Sequence, residues 1–206
     1  MAREGFYFFS PFLILAIFFF YLFDKYQDIN LVYAAVIAFA VGCLFILFFR
    51  DPERKIPEGD NLIVSPADGK IVGISETNKQ LKISIFLSIF DVHINRIPVN
   101  GVVQRLTYKP GKFFSAFKQK ASDLNERFEI EIKTDNHAII MHQIAGVLAR
   151  RVVCRLKKDQ PVQKGKRFGL IRFGSRVDLF LPSSVRLEVR KGQRVTGGKT
   201  IIGRLS

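Results

Sequence analysis

Two uncharged runs open the chain, residues 6–23 (FYFFSPFLILAIFFFYLF) and 31–49 (LVYAAVIAFAVGCLFILFF). Both are apolar all round, so neither shows the polar stripe of a helix lying on a soluble core. Each has the ~18–20 residues that cross a bilayer as a helix, which predicts a transmembrane helical hairpin over residues 1–49. Pro11 falls in the first turns of the first span, where a helix tolerates it. A signal peptide is the competing reading of the first run. That run lacks a strongly basic start and a small-residue cleavage site, and a second span follows at once. The connecting stretch, Asp24 to Asn30, is net negative, and Arg50, Arg54 and Lys55 follow the second span. The positive-inside rule then places both ends in the cytoplasm.

A charged, Pro-containing linker over residues 50–61 marks the expected domain boundary. From residue 62 to 206 the pattern becomes β. Leu62–Val64, Gly69–Ile74, Leu81–Leu87 and Phe128–Lys133 alternate or run apolar between turn signals. Residues 97–103 read as another strand region with Asn100-Gly101 as a hairpin turn, and residues 137–146 and 149–155 as two more strands. Residues 110–127 break the pattern and read as a basic, aromatic and polar loop with room for a short helix. Val162-Gln163-Lys164-Gly165-Lys166-Arg167 recurs as Val189-Arg190-Lys191-Gly192-Gln193-Arg194, a spacing like the turns of lipoyl carrier sandwiches. No modifiable Met-Lys or Asp-Lys context accompanies it, so it is architecture. The expected fold is mainly β: a membrane hairpin, then a β-sandwich or barrel-like domain with lipoyl-like hairpin repeats.

Charge sharpens this division. The net charge is +14 over 206 residues, yet residues 1–49 carry −1 and residues 50–206 carry 30 basic against 15 acidic side chains. A strongly basic domain seeks polyanions. The apolar leader favours an anionic membrane surface, where each basic residue is worth about 1 kcal/mol before screening, over nucleic acid. Phe113, Phe114 and Phe117 stand among lysines, but no single-strand stacking motif is evident. Cys43 and Cys154 lie in apolar runs, are not spaced for a metal and read as buried packing residues.

The candidate chemistry lies at Gly174-Ser175, between the apolar runs ending at Phe173 and starting at Val177. On its own the pair reads as a tight turn or bulge in a β-hairpin. A serine can also attack the carbonyl before it and move the acyl group from nitrogen to oxygen. A strained turn and a donor for the oxyanion would help, and a glycine leaves the tetrahedral centre uncrowded.

The pair does not stand alone. Phe48-Phe49-Arg50-Asp51-Pro52-Glu53-Arg54, Ser65-Pro66-Ala67-Asp68-Gly69, Asp91-Val92-His93 and Gln143-Ile144-Ala145-Gly146 precede it in that order. In this order, and with the apolar hairpin, the chain resembles a phosphatidylserine decarboxylase of the short, membrane-anchored type, from Phe48 to Gly203. The resemblance implies self-cleavage between Gly174 and Ser175 into fragments 1–174 and 175–206 that remain together. Ser175 would become an N-terminal pyruvoyl group, which forms a Schiff base with the substrate amine and acts as an electron sink. Phosphatidylserine would lose CO2 to give phosphatidylethanolamine, on the cytoplasmic side of a bacterial inner membrane.

Further residues carry over by position. Asp68, otherwise an Asx-turn before a strand, becomes a partner in self-processing. His93, otherwise a structural strand histidine, gains a role near the substrate carboxylate or in proton transfer. Asn125 and Glu126 resemble a segment that lines the site, against a plain polar loop. Long-form members have a second histidine three residues after the first, where this chain has Arg96, and a small hydroxyl residue where it has Arg176; short forms resemble this chain in both. Arginine is no base at neutral pH, so Arg96 is a candidate for substrate carboxylate or phosphate, and either His93 or Asp68 would serve as base. No metal is implied, and His137 and His142 read as filler. Two other classes remain: a membrane-tethered basic module binding anionic lipid or nucleic acid, and a structural β-sandwich adaptor. Both require an intact chain.

Overall fold

A computed structural model describes residues 3–76, 80–112, 124–146, 152–171 and 174–205. Met1–Pro52 and Glu53–Ser206 form two compact units. The first is a pair of helices, α1 (Arg3–Tyr26) and α2 (Ile29–Phe48), each long and apolar enough to cross a membrane. The expected seven-residue loop shrinks to Gln27 and Asp28. Asp24 to Tyr26 continue α1, Gln27 turns the chain with φ +55°, and Asp28 caps α2 by accepting from the Asn30 amide at 2.9 Å. Because α1 starts at Arg3, Pro11 lies inside the helix, where it removes one i→i−4 hydrogen bond. Phe8 stacks on Phe45 and Phe49, and Phe12 on Phe45. Gly42 lets Phe9 and Phe12 approach closely.

The second unit is mainly β. Its strands are β1 (Leu62–Val64), β2 (Gly69–Glu76), β3 (Gln80–Leu87), β4 (Ile94–Arg96), β5 (Gly101–Lys109), β6 (Arg127–Lys133), β7 (Ala138–Ile144), β8 (Val152–Cys154), β9 (Pro161–Val162), β10 (Arg167–Ile171), β11 (Ser175–Pro182), β12 (Arg186–Leu187), β13 (Arg194–Val195) and β14 (Ile201–Arg204). An eight-stranded sheet runs β13-β2-β3-β11-β7-β6-β5-β9, with three-stranded sheets β4-β10-β8 and β1-β14-β12 beside it. Alternation along β11 turns Ser175, Val177 and Leu179 to one face, level with Leu87, Ile85 and Ile83 of β3 and, from Val177 on, with Gln143 and Met141 of β7. Val177, Leu179, Leu87, Ile85, Ile83 and Met141 are wholly buried there, each worth about 1.5–3 kcal/mol over exposure.

Two sequence expectations meet a different topology. Asn100-Gly101 joins no hairpin, because β4 pairs with β10 whereas β5 pairs with β6 and β9. Ile97 and Val99 are drawn into the core instead, and Asn100 accepts from the Lys164 amide at 2.8 Å. A side chain at Gly101 would strike the Lys133 carbonyl. Nor is Gly174 the turn of a β-hairpin: β10 and β11 belong to different sheets, so the chain crosses between layers there. The two Lys-Gly turns do repeat. Lys166 N donates to Gln163 O and Gln193 N to Arg190 O, with Gly165 and Gly192 at positive φ. Cys43 and Cys154 are half-buried. Expectations over Phe113, Phe114, Phe117, residues 149–151 and Arg172-Phe173 lie outside the described residues.

Candidate active site

Register brings the sequence motifs to one end of the large sheet. Lys70, Phe86, Arg176, Ile144 and Arg127 form a row across β2, β3, β11, β7 and β6. One residue beyond it lie Gly69, Leu87, Ser175, Ala145 and Glu126. Asp68, Gly174-Ser175 and Asn125-Glu126 therefore share an edge, although up to about a hundred residues separate them in sequence.

At its centre Ser175 is completely buried, and its Oγ has no hydrogen-bond partner among the described residues. Burying a hydroxyl unsatisfied costs about 1–3 kcal/mol, which is unusual without a functional reason. Gly174 has φ +60°, and a Cβ there would meet nothing within 4 Å. The glycine answers a backbone requirement rather than a packing one.

His93 reaches this edge through the loop after β3. Asp91 accepts from the Ser88 amide and hydroxyl at 2.8 and 2.7 Å and pairs with Arg194. The buried His93 ring sets Nδ1 at 2.9 Å from the Asp91 carbonyl oxygen. A carbonyl only accepts, so Nδ1 carries the proton in this contact, and in the neutral form of the ring Nε2 is the basic nitrogen. The His93 carbonyl accepts from Ile171 N at 3.2 Å, which fixes this loop to the strand leading into Gly174.

Asp68 is held from both sides. Its Oδ2 meets Arg54 at 2.9 Å and its Oδ1 accepts from Gly197 N at 2.7 Å. Two strand spacings of about 4.8 Å separate its turn from β11. Arg96 is buried, donates to the Gly165 carbonyl at 3.0 Å and packs on Gly198, bracing the Lys-Gly turn. Asn125 donates to the Ala145 carbonyl at 2.7 Å, and Glu126 accepts from Val152 N at 3.3 Å. Both are buried and tie together the backbone around the site.

Sequence reading gave no role to Asn95 or Gln143. Gln143 Nε2 donates to Asn95 Oδ1 at 2.8 Å, and both residues are wholly buried. Gln143 faces Val177 across the β7–β11 ladder, so it is a diagonal neighbour of Ser175 on the same face. Asn95 lies opposite Gly169 of β10. A Cβ at Gly169 would stand 2.2 Å from the Val153 carbonyl and 3.1 Å from Gln143 Nε2, so only glycine leaves space for this amide pair. A polar residue at an inward position of an apolar strand, as Gln143 is, was the available signal.

The opposite face of β11 was also missed. Arg176 bonds Asp178 at 2.6 Å and Ser84 at 2.7 Å, and Lys82 meets Asp178 at 3.0 Å. Lys82, Arg176 and Lys191 line a cleft of about 350 Å3 with Ser75 and Ser84. Nearby, His142 packs against Phe180 with the rings tilted, centroids 4.7 Å apart. Burial pushes its imidazole below the usual range, against the opposing pull of Glu129 and Asp178. The unfolded chain then binds a proton that the folded chain refuses. His142 thus adds stability above about pH 6.5, and that share is lost as pH falls towards the lowered folded value. Thermal melts from pH 7.5 to 5 should show a shallower acid limb for His142→Gln than for the parent; identical limbs would refute this.

Comparison with known proteins gives these residues a context. The family profile described as phosphatidylserine decarboxylase matches residues 41–203. The phosphatidylserine decarboxylase proenzyme of Ehrlichia chaffeensis is 51% identical over 179 residues, covering 82% of this chain and 79% of that protein. That of Rickettsia typhi is 43% identical over 211 residues, covering 97% and 88%, and that of Chlorobium phaeobacteroides is 48% identical over 177 residues, covering 83% and 81%. The chain belongs to the phosphatidylserine decarboxylase family. Of the motifs that suggested the family, those around Gly69, Ala145 and Ser175 are brought level at one edge of the sheet by the strand register. Among the described residues no three His, Cys, Asp or Glu side chains are grouped to hold a metal ion. The residues fit a pyruvoyl group made from the chain itself: a buried serine with an uncommitted hydroxyl follows a glycine at positive φ.

Proposed function

We propose that the chain cuts itself between Gly174 and Ser175 and then decarboxylates phosphatidylserine to phosphatidylethanolamine, with its catalytic unit on the cytoplasmic side of a bacterial inner membrane. The observation that carries this is Ser175 itself: first residue of β11, wholly buried, its hydroxyl unspent. The relatives' description as proenzymes adds support.

In the cut, Ser175 Oγ bonds the Gly174 carbonyl carbon while the C–N bond breaks, and the hydroxyl proton passes to the freed amine. Loss of the Ser175 α-proton then expels the Gly174 carboxylate from Cβ and leaves dehydroalanine, which takes up one water and releases ammonia. His93, with its lone pair on Nε2, is suited to move these protons. Asp68 holds the Thr196–Gly198 turn against β2 through the Gly197 amide and sets Arg54 beside it. A pyruvoyl group at residue 175 would supply a ketone for the substrate amine and an electron sink for the pair left behind when CO2 departs. The apolar helices keep the lipid substrate's source membrane at hand, and the basic unit favours its anionic surface.

Intact masses under denaturing conditions test the reading. Two pieces corresponding to 1–174 and 175–206 are expected, the smaller blocked to Edman sequencing and reactive toward borohydride, and Ser175→Ala should stay whole. A single chain of 23.5 kDa, unchanged on incubation, would sink the proposal.

A further inference from the structure

The self-cleavage just described needs a donor for the oxygen of the Gly174 carbonyl as it becomes an oxyanion. Three buried polar atoms on or beside the Ser175 face of β11 have no partner among the described residues: Ser175 Oγ, Asn95 Nδ2 and Gln143 Oε1. Two unsatisfied amide groups in a well-packed interior together cost several kcal/mol at about 1–3 each, and nothing in the packing requires them. Gly169 is held free of a side chain where the pair sits.

We propose that Asn95 is the oxyanion donor for self-cleavage and that Gln143 is the residue that positions it. The argument is one of orientation. Gln143 Nε2 donates to Asn95 Oδ1, which obliges Asn95 to present Nδ2 away from Gln143. That N–H is unspent. Asn95 is fixed by the β4–β10 ladder, and β10 ends three residues before Gly174. Gln143 is fixed by the β7–β11 ladder, diagonal to Ser175. The strands paired with the two elements that flank the cut, β4 on β10 and β7 on β11, thus each supply one member of the pair. When Ser175 Oγ attacks, the C=O electron pair moves onto oxygen, and the Asn95 N–H stabilises that charge until the C–N bond breaks. Removing one such donor in other enzymes slows the step about 10²–10³-fold.

This inference rests on self-cleavage of the parent chain, and the experiment separates the two. Parent, Asn95→Asp and Gln143→Glu chains, full length in detergent, are synthesised in vitro and followed by denaturing gel with and without hydroxylamine, which cuts an ester but not an amide. Asn95→Asp keeps the shape and loses the donor. It is expected to slow cleavage by about 10²–10³-fold and to stay uncut by hydroxylamine, because the N-to-O shift itself is blocked. In Gln143→Glu an ionised carboxylate accepts from Asn95 Nδ2 and turns the amide around, whereas the protonated acid donates to Oδ1 as glutamine does. Its cleavage rate relative to the parent should therefore fall at high pH and recover as pH is lowered. A merely structural role predicts no such recovery, and this ratio decides the matter even if Asn95→Asp fails to fold. Parent-like cleavage in Asn95→Asp, an uncut but hydroxylamine-sensitive chain, or a pH-independent ratio would each overturn the assignment. An uncut parent would instead overturn the self-cleavage reading.

Discussion

The His93→Gln chain is expected to remain one polypeptide long after the parent has divided, with self-cleavage slowed roughly 10²–10⁴-fold, the range a positioned acid–base group contributes. Glutamine is chosen because its amide can still donate to the Asp91 carbonyl, the contact that orients the ring. It keeps the polar anchor and removes the group that accepts and returns a proton. The His93 carbonyl bond to Ile171 N is a backbone contact and survives the change, so the approach to Gly174 is undisturbed. A gel time course on freshly synthesised protein reads the result. Cleavage within threefold of the parent would remove His93 from this step and move the role to Asp68.

Replacing Asp178 by alanine should destabilise the β unit by about 3–5 kcal/mol, because one wholly buried carboxylate serves two cations. Arg176 is itself 4% exposed, and without Asp178 its charge lies buried beside Lys82. For a unit of this size the melting temperature should fall by roughly 10 °C. Asp178→Asn should lie between, since the amide can accept a hydrogen bond but carries no charge. The chain has no tryptophan, so far-UV circular dichroism in detergent is the measurement. A fall under 2 °C for the alanine chain would mean that Ser84 and solvent satisfy Arg176 without the carboxylate.

The sequence made some features plain and concealed others for physical reasons. The hairpin was legible because an apolar run of bilayer length has few alternatives, and the strands around Ile83 and Ile130 because their alternation is local. The Asn100-Gly101 turn misled, since the dipeptide that suits a hairpin also suits a close pass over the Lys133 carbonyl. Gly174-Ser175 was visible through its companions Asp68 and His93, yet its place between sheets was not: β11 finds its partners in β3 and β7, far away along the chain, and periodicity says nothing about which strands meet. Asn95, Gln143 and Gly169 escaped for the same reason. Asn95 and Gly169 look ordinary in their own segments, Gln143 stands out only as a polar residue in an apolar strand, and their grouping appears only when β4, β10 and β7 converge.

The position of β11 inside the large sheet has a last consequence. Were the chain cut before Ser175, three strands of the 32-residue tail would still be laced into the rest: β11 between β3 and β7, β13 on β2, and β14 on β1, with β12 held on β14. The cut would open a covalent bond without opening an edge. The tail could leave only by global unfolding, so the lifetime of the assembled pair is a kinetic property of the whole β unit. The amides of β11 would be among the last to exchange with solvent, although the strand begins at a free end.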